Sequence, residues 1–74
     1  MNTQPATDKQ LGYLTKLTKE WNYLAAKTNN EPIKRDWWHE RSIGMTIADA
    51  SIKIDALKDG MFWMRFQRTL LGNH

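Results

Sequence analysis

Thr7-Asp8-Lys9-Gln10 opens a run in which Leu11, Leu14, Leu17, Trp21 and Leu24 recur at helical spacing. At about 100° per residue these five apolar side chains fall within one arc, and Lys9, Lys16 and Lys27 fall outside it. A stripe of this period has to be buried against another element, which rules out an extended or purely solvated chain. Thr7 followed three residues later by Gln10 is a capping-box signature, and Asp8 suits the positive end of the helix dipole. The spacing predicts a helix over about 8–27, closed by the T-N-N-E-P stretch at 28–32.

A second capping box, T-I-A-D at 46–49, precedes Ile47, Ala50, Ile54 and Leu57 on one face, with Lys58 in the last turn. It predicts a helix over 47–58. Asp59-Gly60 reads as a turn. Beyond it, Phe62, Phe66 and Leu70 stand at four-residue intervals with Trp63 beside them, and Gly72-Asn73 closes a predicted third helix over 61–71. The short turn would make the last two helices a compact hairpin or an angled pair. Residues 28–45 read as a long connection, in which Asp36 can cap a short helix through Ser42. Clean period-two alternation is missing throughout, so the expected class is all-α: a compact three-helix domain over 7–72, after a disordered tail at 1–6.

At 74 residues the chain is one domain, and it buries only about 60% of its unfolded surface. It contains no cysteine, which excludes a disulfide scaffold and a thiolate metal site. Its four tryptophans are an efficient way to build a sufficient core in so short a chain. The formal net charge is +3 and the pI about 9.5, which favours an acidic partner such as nucleic acid. Both signs are interspersed, without a run of five like charges. No stretch approaches the length of apolar sequence needed to span a bilayer, and M-N-T-Q-P-A-T lacks the basic and apolar regions of a signal peptide. A cytoplasmic location without membrane contact is therefore expected.

Two pieces, T-D-K-Q-L-G-Y-L at 7–14 and T-I-A-D-A-S-I-K-I-D-A-L-K at 46–58, carry a resemblance. The pattern T-x-K-Q-x-x-x-L followed by T-x-x-x-A-S-x-x-I-D-x-L-K resembles a small helical module of bacterial and phage proteins. That module often occurs as an appendage on proteins that handle nucleic acid. The matching positions are Thr7, Lys9, Gln10 and Leu14, then Thr46, Ala50, Ser51, Ile54, Asp55, Leu57 and Lys58. They are mostly caps and core positions, so the resemblance implies a fold more than an activity. This chain departs from the pattern by a long connection holding Trp37 and Trp38, and by the aromatic, basic segment 61–71.

Catalytic chemistry is poorly represented. Nucleophilic catalysis needs Ser or Cys beside a His and an orienting acid, and Ser42 near His39 sits in no recognisable elbow. Asp36, His39 and Glu40 lie within about one helical turn, whereas zinc sites draw on several segments and on Cys or multiple His. Gly12, Gly44, Gly60 and Gly72 are isolated, so a phosphate-binding loop is absent. No enzyme, metal or cofactor is expected. Ala56 and Gly60 have helix-turn-helix spacing, which would present Arg65, Gln67 and Arg68 on a second helix. Of the positions that motif wants apolar, only Met61 and Phe66 comply.

A looser cationic surface remains, formed by Lys34, Arg35, Trp37, Trp38, Arg41, Arg65, Gln67 and Arg68. Cations interleaved with aromatics suit single-stranded nucleic acid, where bases stack and phosphates meet charge. Trp37 and Trp38 cannot both point inward, because adjacent side chains diverge by about 100° in a helix and oppose each other in a strand. One ring is expected in the core and one at a contact surface; phasing from Asp36 places Trp38 and Arg41 on one side. Three roles follow: a nucleic-acid-binding protein or one docking on a nucleic-acid-processing complex, a phage-type inhibitor of a host enzyme or defence complex, and a module that forms a homodimer through 61–71.

Overall fold

A computed structural model describes residues 4–71. The chain is all-α, with helices α1 (Asp8–Thr28), α2 (Trp37–Ser42) and α3 (Ile47–Leu71). The expected caps at Thr7, Asp36 and Thr46 are all present. Thr7 Oγ1 accepts from the Gln10 N–H while Gln10 Oε1 accepts from the Thr7 N–H, both at 3.1 Å. Asp36 accepts from the N–H groups of Trp38 and His39. Thr46 and Asp49 exchange the same reciprocal pair of bonds at the start of α3. Each cap satisfies donors that a helix leaves unpaired at its amino end. α1 ends at Asn29, whose φ of 60° is left-handed, and the following Asn30 N–H closes on the Ala25 carbonyl at 2.9 Å.

The expected break at Asp59-Gly60 is absent, and the separate helices over 47–58 and 61–71 are one continuous α3. The reason is side-chain contact. A Cβ at Gly60 would lie 2.2 Å from Cζ3 of Trp21. Glycine here is the seat on which the Trp21 indole rests. Met61 and Met64 are buried on the same side, which carries the core contacts through the glycine and past it. The cost of a mid-helix glycine, about 0.5–1 kcal/mol, is offset by that packing.

α1 and α3 run side by side in the same direction. Gln10 Nε2 donates to the Ile47 carbonyl, Trp21 lies on Gly60, and Asn30 Nδ2 donates to Gln67 Oε1. Parallel neighbours require the chain to return the full length of the pair, and residues 29–46 make that return. Trp21 Nε1 donates to the Glu31 carbonyl at 3.1 Å, and the Asn22 side chain pairs with both the N–H and the carbonyl of Ile33. These bonds pin the returning chain to α1.

Gln4–Ala6 are held rather than disordered. Pro5 bridges Thr46, the Ala6 N–H donates to the Met45 carbonyl, and the Ile47 N–H donates to the Gln4 carbonyl. Ala6 is buried. Residues 1–3 of the expected tail, and Gly72-Asn73 as the expected helix end, lie outside the described residues. The core combines Leu11, Leu14, Leu17 and Leu24 of α1 with Trp37, Met45, Ala50, Leu57, Met61 and Met64, and Trp21, Ile33 and Ile54 pack against it half-buried. Among the described residues no helix is long and apolar enough to cross a membrane.

Candidate functional site

The short helix α2 separates the two adjacent tryptophans. Trp37 is 4% exposed and Trp38 47% exposed. Asp36, by capping the helix, sets the phase that sends Trp37 onto α1, where its Nε1–H donates to Thr18 Oγ1 at 2.8 Å. That bond removes the penalty of burying the indole N–H. Trp38 stays outside, with the Arg41 guanidinium 5.1 Å from the ring centre, as the expected shared side requires. Arg35 stands at the same distance over Trp37. Both arginines are also ion-paired, Arg35 with Glu40 at 2.7 Å and Arg41 with Asp8. Lys34 is exposed beside them.

Arg65 and Arg68 belong to a different place. They line a cleft of about 370 Å³ between α1 and α3, together with Lys19, Glu20, Tyr23 and Leu24. Tyr23 is exposed and lies between two cations, Lys27 at 5.5 Å and Arg68 at 5.8 Å from its ring centre. Arg65 meets Glu20 at 3.6 Å. Gln67 does not join this group. Its side chain accepts from Asn30 in a separate cleft lined by Trp21, Gly60 and Trp63. Residues two apart on a helix point about 200° apart, so Arg65 and Gln67 cannot share a face of α3. A turn followed by a second helix is also lacking, which removes the helix-turn-helix reading of Arg65, Gln67 and Arg68.

No family model, curated protein or solved structure matches this chain.

Lys19 and Tyr23 are the residues that sequence reasoning missed. Lys19 lines the Tyr23 cleft and also a second cleft of about 340 Å³ formed with Thr15, Thr18, Arg35, Asp36, Trp37 and Trp38. It stands on the ridge of α1 between the two groups, so cationic and aromatic side chains follow one another from Trp38 and Arg35 through Lys19 to Tyr23, Arg68 and Arg65. The signal was present as Lys19, Tyr23 and Lys27 at four-residue intervals, on the face opposite the leucines. Carboxylates punctuate the band at Asp36, Glu40 and Glu20, so it is amphoteric rather than uniformly basic.

A third surface feature is apolar. Phe62, Trp63, Phe66 and Leu70 are 63%, 63%, 52% and 56% exposed. The rings meet edge to face, Phe62 with Trp63 at 5.8 Å and Trp63 with Phe66 at 6.2 Å. Met61 and Met64, their neighbours in the chain, are in the core.

Proposed function

We propose that this protein is a small, non-enzymatic, cytoplasmic binding protein whose ligand is single-stranded nucleic acid, bound free or as part of a nucleic-acid-processing complex. The observation that supports this reading most is Lys19, which joins two clefts that each pair an exposed aromatic ring with arginine. Exposed rings at Trp38 and Tyr23 offer stacking surfaces for bases whatever their sequence. Arg35, Arg41, Arg65, Arg68 and Lys19 offer charge to phosphates, at the cost of exchanging their present carboxylate partners. The interspersed acids limit non-specific affinity, and the phosphate contacts of the cations make the interaction sensitive to salt.

Fluorescence titration with single- and double-stranded oligonucleotides at low salt tests the reading. The expected result is binding with a preference for single strands, weakening linearly in log–log form as salt rises through counterion release. Absence of binding at low salt overturns it.

The exposed aromatic face of α3 favours a second reading, a phage-type inhibitor that docks on a host enzyme or defence complex through protein contacts. A pull-down from lysate with and without nuclease treatment separates the two: nucleic-acid-mediated capture disappears after treatment, and direct capture of one defined protein survives it.

A further inference from the structure

We infer that α3 pairs with α3 of a second copy of this chain, antiparallel, across a two-fold axis near Phe66. The core side of α3 is occupied by Ala50, Leu57, Met61 and Met64. At about 100° per residue Phe62, Phe66 and Leu70 fall on the opposite side, with Trp63 at its edge, and all four are more than half exposed. This helix has two apolar faces and only one of them is covered. A helix apolar on both sides is matched to two neighbours.

The size of the face argues for a second copy. An aromatic side chain carries roughly 150–250 Å², so the four residues leave roughly 400 Å² of apolar surface per protomer, about 800 Å² for a pair. The stems of Arg65, Gln67 and Thr69 at the margins extend the pair toward the lower end of specific interfaces, at about 1,200 Å². That suits a reversible dimer.

The order of residues selects the register. Phe62, Phe66 and Leu70 are spaced evenly about Phe66, so a two-fold axis there sets Phe62 against the partner's Leu70 and Phe66 against itself, as an isologous contact requires. Asp55 and Asp59 lie on the same face toward the amino end. Sliding the pair in that direction would lay aromatic rings over two carboxylates and strip them of water, which is costly without a partner charge. The acids therefore confine the overlap to 62–70.

The symmetry has a geometric corollary. Antiparallel helices related by a two-fold axis meet like flank to like flank, so Arg65 and Arg68 of both copies stand on one side of the dimer. The two Tyr23 clefts then form a single cationic surface. Only this corollary rests on the nucleic-acid reading; the pairing itself does not.

Sedimentation equilibrium over a concentration series, without nucleic acid, tests the pairing. The expected result is a monomer–dimer equilibrium. Phe66→Glu should weaken it by about tenfold or more, the range of an interface hot spot, with far-UV circular dichroism unchanged because the ring is exposed. Ile52→Glu, on an exposed apolar residue of the same helix outside the overlap, should leave it intact. The chain has no cysteine, so Phe66→Cys places a single thiol at the axis and should give a disulfide-linked dimer on mild oxidation, whereas Ile52→Cys should not. This cross-link keeps the test decisive even if Phe66→Glu misfolds. A wild-type protein monomeric at every concentration overturns the proposal. So does a dimer indifferent to Phe66→Glu, or a monomer whose tryptophan emission shifts to the blue on anionic vesicles, which would give the face to lipid.

Discussion

Two stretches of this chain each carry a pair of adjacent aromatic residues, and they solve the same problem differently. At 37–38 the pair is divided: Trp37 enters the core with its N–H satisfied by Thr18, and Trp38 remains outside under Arg41. At 62–63 both rings stay outside, because Met61 and Met64 already fill the core side of α3. Burial is decided by what stands opposite a position, and hydrophobicity alone does not predict it. A flexible methionine fills an irregular gap better than a rigid ring, and that frees Phe62 and Trp63 for the surface.

The comparison is broken most directly by truncating each ring. Trp37→Ala is expected to cost about 3–5 kcal/mol, close to the whole stability of so small a domain, and urea unfolding should show little or no folded protein. Phe62→Ala should fall within about 0.5 kcal/mol in the same assay at concentrations where the protein is monomeric. Equal losses would mean that the two stretches are packed alike. Next in size is Gly60→Ala. Propensity alone would stabilise α3 by about 1 kcal/mol, but the methyl group meets the Trp21 ring. The net expectation is a loss of about 1–3 kcal/mol, and a gain would mean that the Trp21 ring does not rest on Gly60.

Trp38→Ala sharpens the contrast within the first pair. Stability should move by less than about 1 kcal/mol, while affinity for single-stranded oligonucleotides should fall by about 1–3 kcal/mol, the worth of one stacked base. Asp36→Ala removes the cap that sets the phase of α2 and should cost about 1 kcal/mol. It should also redden the tryptophan emission as Trp37 becomes wetter. Thr18→Val, which leaves the indole N–H of Trp37 without its acceptor, should cost about 1 kcal/mol, the low end for an unpaired, part-buried donor.

Local features were legible in the sequence. Caps at Thr7, Asp36 and Thr46 act through residues three positions away or fewer, so reading them requires no tertiary knowledge. The leucine stripe likewise announced which face of α1 is covered. Gly60 was misread because a glycine that ends a helix and one that admits a ring from a neighbour look identical until the neighbour is in place. Gln4–Ala6 were misread for a related reason: their partners, Met45–Ile47, lie some forty positions on. The site residues followed the same rule. Trp38 with Arg41 was recoverable from helical phase, and so was the divergence of Gln67 from Arg65, since both stand on one helix with or without a break at Gly60. Lys19 and Tyr23 were visible as an outward stripe, but their importance appears only where two clefts meet.

The parallel course of α1 and α3 bears on how the chain acquires its structure. The leucines at 11–24 are covered mainly by residues 50–64, so α1 has no mate during synthesis until most of α3 has left the ribosome. Its contacts are non-local for an all-α protein, which slows folding relative to helical hairpins of the same size. A chain stopped before α3 would carry an exposed greasy stripe and no core. Such fragments should be held by chaperones or degraded, and the domain should behave as indivisible.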